Sequence, residues 1–435
     1  MSWELALLFY AVLLASCLLG GVTIGASMGV VGIVGITIVA GTGLWVSLGD
    51  IIFNTTTSFT LVAVPLFVLM GELILRSGLS KRFYAGVSGV LAPIPAALAH
   101  SNIVGCSIFA ALCGSSVATA MTIGTVALPE MRQRGYSDRL TLGTLTGGGC
   151  LGILIPPSIP MVVYASMTNE SVLDLFMAGL VPGLVLAALF IVYVATRVAI
   201  TPALAPKTGR ALAPGPMLFA LLNCVPVIGL ILFIIAGMYY GLVTPTEAAA
   251  LGSALALLLG LTLGDLKVAS LWTALTNTMV TTCIVMFITV NAQFLSFAVV
   301  QSGIGKGISE AMISSNVAPF LFFVLFYLMF LVLGMFLDGL SLMLLTVPIL
   351  YPAMTAMGFN GVWIGILMVV MIELGALTPP MGLNLFAIQS ISRETPLAEI
   401  ALASMPFAII ISLFAFALYF IPDLVLALPR SLRGS

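Results

Sequence analysis

The chain has 435 residues, of which 61% are hydrophobic and 7% charged, with a formal net charge of −1. A soluble domain carries about 25% charged residues, so the composition excludes a soluble protein and leaves a polytopic membrane protein without a soluble domain. A single histidine, and six cysteines with no metal-binding spacing, exclude a zinc site and a His-based triad. No Gly-x-x-x-x-Gly-Lys-Ser/Thr stretch is present to cradle ATP phosphates.

Residues Met1–Gly21 lack a basic leader and a cleavage site, so they read as a first transmembrane helix rather than a signal peptide. Apolar spans are expected at 4–22, 24–43 and 55–76, each near the roughly 20 residues a bilayer requires. The less apolar stretch 78–104 carries Lys81, Arg82 and His100 and reads as a helix along the interface. The segment 105–131 is interrupted by Gly114-Ser115-Ser116 and reads as a re-entrant hairpin. A broken span then carries Gly152-Ile153-Leu154-Ile155-Pro156-Pro157-Ser158, and a last span covers 174–198.

The second half repeats this order. Spans at 216–238, 245–264 and 270–300 precede an interfacial stretch at 302–316. A hairpin at 318–354 is interrupted at Asp338-Gly339. Next come the break Gly375-Ala376-Leu377-Thr378-Pro379-Pro380-Met381 and a span at 398–421. One register, 223 residues, places Pro129 on Pro352, Gly135 on Gly358, Gly152 on Gly375 and the first proline pair on the second. Upstream, Ser77-Gly78-Leu79-Ser80-Lys81 resembles Ser302-Gly303-Ile304-Gly305-Lys306. The expectation is an all-α protein of two repeats, 1–210 and 211–435, each with about five transmembrane helices and one re-entrant hairpin.

Five crossings per repeat invert the second repeat. The loop Arg132–Arg139 is rich in arginine, and its counterpart Thr355–Asn360 has no charge. Positive charge marks the cytoplasmic side, so the first hairpin is expected to open to the cytoplasm and the second to the outside. Arg76, Lys81, Arg82, Arg197, Lys207, Arg210, Lys267 and Arg393 agree with that orientation. Both termini then fall outside, against which Arg430 and Arg433 speak.

Backbone breaks at membrane depth persist only where protein or a cavity satisfies them, and matched breaks in two halves point to a transporter's binding site. Broken helices offer N–H groups to an anion at one end and carbonyls to a cation at the other. Ser115, Ser116, Thr119, Ser158, Thr378 and Asn384 add a polar lining without fixed charge. Hydroxyls in membrane helices also pack or bond their own backbone, so that lining has a structural reading beside the functional one. Asp338 is the sharpest single residue, because a mid-membrane carboxylate costs about 2.5–3.5 kcal/mol. It reads as a cation ligand, a helix N-cap, or both. Glu72 reads as paired to Arg76, Glu247 as a first-turn acid, His100 as interfacial, and Glu373 equally as structural or functional. The cysteines Cys17, Cys106, Cys113, Cys150, Cys224 and Cys283 read as packing residues.

Gly114-Ser115-Ser116-Val117-Ala118-Thr119, Leu154-Ile155-Pro156-Pro157-Ser158-Ile159 with Tyr164, and Leu374-Gly375-Ala376-Leu377-Thr378-Pro379-Pro380-Met381-Gly382-Leu383-Asn384 resemble the large membrane subunit of the tripartite ATP-independent periplasmic (TRAP) transporters, the dicarboxylate- and sialic-acid-type permeases. The resemblance covers nearly the whole chain. It implies a sodium-driven secondary transporter in the bacterial inner membrane, not an enzyme, moving a small organic anion by an elevator motion. It implies a periplasmic binding protein and a small four-helix membrane subunit as partners. No four-helix segment precedes residue 1, so that subunit is expected as a separate chain. Besides these and membrane lipid, no nucleic-acid partner is expected.

The resemblance also implies two Na⁺ sites. One uses backbone carbonyls near Cys113, Gly152, Ile155 and Pro157, and the other uses Leu337, Asp338, Gly375, Thr378 and Met381. It places the organic anion between the hairpin tips, near Ser115, Ser116, Ser158 and Asn384. No arginine lies at the breaks to grip a carboxylate. The alternative is a stand-alone sodium/anion symporter with no binding protein. A membrane enzyme lacks convergent titratable groups, and paired occluding hairpins argue against a channel.

Overall fold

The computed structural model describes residues 2–206, 214–314 and 318–433. Every regular element among them is helical. In the first half, α1 (Trp3–Leu19) and α2 (Ile24–Ala40) precede a bent pair, α3 (Trp45–Thr56) and α4 (Ala63–Arg76). Measured over Thr42–Thr56 and Thr60–Arg76 the bend is 50°. It falls where the hydroxyls of Thr56 and Thr57 turn back onto the carbonyls of Ile52 and Phe53, each at 2.7 Å. Then come α5 (Leu79–Leu91), α6 (Ala97–Cys113), α7 (Ser116–Gln133), α8 (Asp138–Gly149), α9 (Ile159–Thr168) and α10 (Val172–Ile200).

The second half has α11 (Pro214–Tyr239), α12 (Pro245–Thr262), α13 (Val268–Gln301), α14 (Ile304–Ser314), α15 (Pro319–Gly334), α16 (Gly339–Ala356), α17 (Gly361–Leu377), α18 (Leu383–Ile391), α19 (Leu397–Phe420) and α20 (Asp423–Arg433). Six of the described helices, α10, α11, α12, α13, α16 and α19, are long and apolar enough to cross a membrane, and the bent α3–α4 pair makes a seventh. The expected repeat boundary at 210/211, Lys207, Arg210 and residues 315–316 of the second interfacial stretch lie outside the described residues.

Where the sequence suggests one interfacial stretch over 78–104, the structure divides it. Only α5 lies wholly within that stretch ahead of the hairpin. The first hairpin arm begins at Ala97, ahead of the expected 105, after Ala96 turns the chain at φ 57°. His100, expected at the interface, is buried in this arm at 5% exposure. Asn102, in the same arm, finds its partners elsewhere in the chain. Asn102 accepts from the Tyr84 hydroxyl at 2.7 Å and donates to Thr144 at 2.9 Å.

The helices sort by their neighbours. α13 packs along α2 and α4, α12 on α4, and α11 on α5. The hairpins and broken helices pack on one another inside this frame. In each half the first hairpin arm lies on the first part of the same half's broken helix, α6 on α8 and α15 on α17. The second arm crosses over, so that α7 lies on α18 and α16 on α9. The two halves are thereby interlocked around their breaks. α17 is buried along Gly361–Gly375 and α8 along Leu140–Gly149.

Candidate functional site

Each hairpin turns on a short tip. Gly114 adopts φ 57°, a left-handed conformation that suits glycine, and Ser115 then caps α7. In the second hairpin Asp338 caps α16, its Oδ2 accepting from the Ser341 N–H at 3.0 Å. Oδ1 has no hydrogen-bond partner among the described residues. The capping and ligand readings of Asp338 are therefore compatible.

Each break is pinned to its own hairpin by a glycine. A Cβ on Gly152 would stand 2.6 Å from Ser116 Cα, and one on Gly375 would stand 2.7 Å from Gly334 Cα. The Met381 N–H donates to the Met335 carbonyl at 3.2 Å, tying the second break to the second tip. At the first, a Cβ on Gly114 would lie 3.1 Å from the Pro157 carbonyl oxygen. Both proline pairs are joined by cis peptide bonds.

The tips and breaks border one cavity of about 250 Å³. Its wall includes Ser116, Ile159, Gly339 and Leu383, which are the first residues of α7, α9, α16 and α18. Four helix N-termini therefore converge on one space. Each carries roughly +0.5 of an elementary charge. Among the described lining residues the ionisable side chains are the carboxyl groups of Asp338 and Glu373, with no Lys, Arg or His. Thr281 and Val285 of α13 complete one side.

Of the expected anion-site residues, Ser115, Ser116 and Asn384 line this cavity, whereas Ser158 is fully buried behind it with an unpartnered hydroxyl. Glu373, which the sequence leaves undecided, sits at the centre. Its side chain accepts from the Ser116 hydroxyl. The Cys150 thiol donates to the Glu373 main-chain carbonyl at 3.6 Å and accepts from Asn384 Nδ2 at 3.1 Å. Cys150 is therefore more than packing. Glu373 Oε2 and Asn384 Oδ1 remain buried without a partner among the described residues.

The donor sets expected for sodium fit a hard cation, which takes oxygen ligands. The carbonyls of Gly152, Ile155 and Pro157 accept no hydrogen bond among the described residues, nor do those of Leu337, Thr378 and Met381. The Gly375 carbonyl is engaged by the Thr378 N–H at 3.0 Å. Cys113 closes α6 beside Gly114. Leu337 also faces a separate apolar cavity against α1.

Other expectations fall into structural roles. Arg76 pairs with Glu72 at 2.9 Å, and Thr244 with Glu247 forms a capping box.

The sequence matches the family described as "Tripartite ATP-independent periplasmic transporter, DctM component" over residues 11–426. It is 33% identical over 394 residues to the C4-dicarboxylate TRAP transporter large permease protein DctM of Pseudomonas aeruginosa, covering 89% of this chain and 90% of that protein. It is 31% identical over 382 residues to the sialic acid TRAP transporter large permease protein SiaM of Vibrio cholerae, covering 87% and 88%. In fold it is similar to the solved YdaH transporter of Alcanivorax borkumensis, with TM-score 0.54 at 14% identity over 86% of this chain and 87% of that one. With its apolar helices, paired hairpins and broken spans, the chain belongs to the TRAP transporter family as a large permease subunit, a multi-pass inner-membrane transport protein rather than an enzyme.

Proposed function

We propose that the subunit imports a small organic anion in symport with sodium, receiving it from a periplasmic binding protein and working with a small four-helix membrane subunit on a separate chain. The relatives named for C4-dicarboxylates and sialic acid make a carboxylate the expected cargo. The observation that carries this reading is the convergence of four helix N-termini on one cavity with no cationic side chain among its described lining residues. Free N–H groups at such ends bind carboxylates.

Electrostatics favour cation coupling. Four N-termini supply roughly +2 elementary charges, and the carboxyl groups of Asp338 and Glu373 share the cavity with them. The free carbonyls at the two breaks suit sodium. Each net positive charge moving inward gains about 2.3 kcal/mol per 100 mV, and a tenfold sodium gradient adds about 1.4 kcal/mol per ion.

The halves act as two inverted repeats. Hairpins and broken helices travel as one transport domain against a scaffold of outer spans, in an elevator motion. The crossed packing of α7 on α18 and α16 on α9 supports a single moving body. The test is uptake into proteoliposomes by the chain with its small subunit and binding protein. Accumulation should require an inward sodium gradient and both partners. Equal uptake without sodium sinks the coupling, and uptake by the chain alone favours a stand-alone symporter.

A further inference from the structure

A second cleft, of about 210 Å³, lies where α8, α10 and α19 meet. Its rim carries two guanidiniums, Arg139 from the first turn of α8 and Arg197 from the last turn of α10. Neither has an ion pair or hydrogen bond among the described residues. Their neighbours do. Arg132 holds Asp138 at 2.9 Å and Ser392 at 2.9 Å, and Arg134 holds Glu130 at 2.6 Å. Asp138 is taken by Arg132, and Glu399, in an adjoining cleft that shares Arg139, makes no ion pair among the described residues.

Between the two arginines stands Tyr193. Its ring is braced edge-on against Phe407, with centroids 5.2 Å apart and planes at 80°. Its hydroxyl has no hydrogen-bond partner among the described residues and shares the cleft with both guanidiniums. The rest of the cleft is apolar, formed by Leu204, Pro406 and Phe407. A cationic rim over an apolar floor at the end of a membrane helix suits a ligand that is anionic at one end and greasy at the other. Basic pockets between transmembrane helices bind anionic headgroups in this way. A small soluble anion makes no use of the floor.

We propose that this cleft binds an anionic phospholipid, its phosphate on Arg139 and Arg197 and its glycerol and upper acyl chain on Pro406 and Phe407. Tyr193 donates a third hydrogen bond to the phosphate. The site bridges the start of α8, which leads into the first break, to α10 and α19. Lipid binding therefore braces the base of the first broken helix. The site needs only the membrane location of the chain, and stands or falls apart from sodium coupling or cargo.

The test uses the whole chain, copurified with its small subunit, in nanodiscs of phosphatidylcholine with and without phosphatidylglycerol. Retained lipid is read by native mass spectrometry and stability by thermal unfolding. The two arginines together should favour phosphatidylglycerol about 30-fold and raise the unfolding temperature when it is present. The double variant Arg139→Gln, Arg197→Gln should lose both effects while unfolding like the parent in pure phosphatidylcholine. Should that variant fail to fold, Arg139→Lys with Arg197→Lys keeps both charges but not the bidentate grip, and should keep lipid preference in reduced form. Unchanged preference in the glutamine variant, or no preference in the parent, overturns the proposal. The same stabilisation from inorganic phosphate or glycerol 3-phosphate in pure phosphatidylcholine also overturns it, in favour of a soluble-anion site.

Discussion

Cys150 and Glu373 stand 223 positions apart, the register that relates the two halves of the chain, and they touch: the Cys150 thiol donates to the Glu373 main-chain carbonyl at 3.6 Å. Under the proposed inverted repeat, a residue meets its own counterpart only close to the axis relating the two halves. The contact joins the start of the first break to the helix before the second. Ser116 on one side and Asn384 on the other extend it to the first hairpin and to α18.

The Ser116–Glu373 bond should be energetically coupled. A typical hydrogen bond contributes about 0.5–1.5 kcal/mol net and a buried partner left unsatisfied costs about 1–3 kcal/mol, and the pair is buried between halves. In a double-mutant cycle of Ser116→Ala and Glu373→Gln, read by thermal unfolding in nanodiscs, a coupling of about 1–3 kcal/mol is expected. Additive effects would show that the contact does not bind the halves together.

The glycine pins give a second expectation. Gly152→Ala and Gly375→Ala each drive a methyl into hairpin backbone, at Ser116 Cα and Gly334 Cα, where no side chain can swing aside. Overpacking of this kind costs about 1–3 kcal/mol. Each variant should unfold at lower temperature and transport poorly, while Gly229→Ala, whose added Cβ meets nothing within 4 Å, should behave as the parent. Normal unfolding and transport in the first two would mean that the breaks have room to move off their hairpins.

Much of this arrangement is legible in the sequence because proline and glycine punctuate it. The paired breaks, the two hairpins and the cap at Asp338 are marked by residues whose local preferences are strong. The place of Glu373 is not legible, since its partners Ser116 and Cys150 come from the other half and no local pattern connects them. The stretch around His100 misleads in a similar way, as a polar residue such as Asn102 looks interfacial until its partners Tyr84 and Thr144 are known. The crossed packing of α7 on α18 and α16 on α9 has no local signal, because it depends on how two similar halves interlock. The symmetry itself carried a usable hint: Glu373 aligns with Cys150, beside the strongest motif in the chain.

Opposite orientation of the halves is open to direct labelling. Cysteines placed in the loop Arg132–Arg139 and in Thr355–Asn360 should react with a membrane-impermeant reagent from opposite sides, the first from the cytoplasm. Reaction of both from one side would end the inverted-repeat proposal.

At Asp338, charge and capping separate by substitution. Asp338→Asn keeps the size and an acceptor for the Ser341 N–H, whose bond to Oδ2 is 3.0 Å, but removes a charged ligand. It should express normally and need about tenfold more sodium for half-maximal uptake, the cost of roughly one charge-assisted contact. Asp338→Ala loses the cap as well, worth about 1 kcal/mol, and should lower the unfolding temperature too. Unchanged sodium dependence in the asparagine variant would leave Asp338 as a cap alone.

The elevator proposal requires the two tips to move together. Ser115 and Gly339 border the same cavity, and the crossed arms tie each tip to the other half's broken helix. Single cysteines at the two positions should therefore gain and lose reactivity in step as sodium and cargo shift the conformations. The background for this measurement should retain Cys150, which is fully buried and holds Asn384 at 3.1 Å, and replace the exposed Cys283. Both tips should be reactive from the periplasmic side in one trapped state and from the cytoplasmic side in the other, because a rigid body carries its binding site past a fixed scaffold. Reactivity of Ser115→Cys that changes while Gly339→Cys stays constant would mean separate gates, and the crossed packing would then have to loosen at α7 and α18 for one tip to open alone.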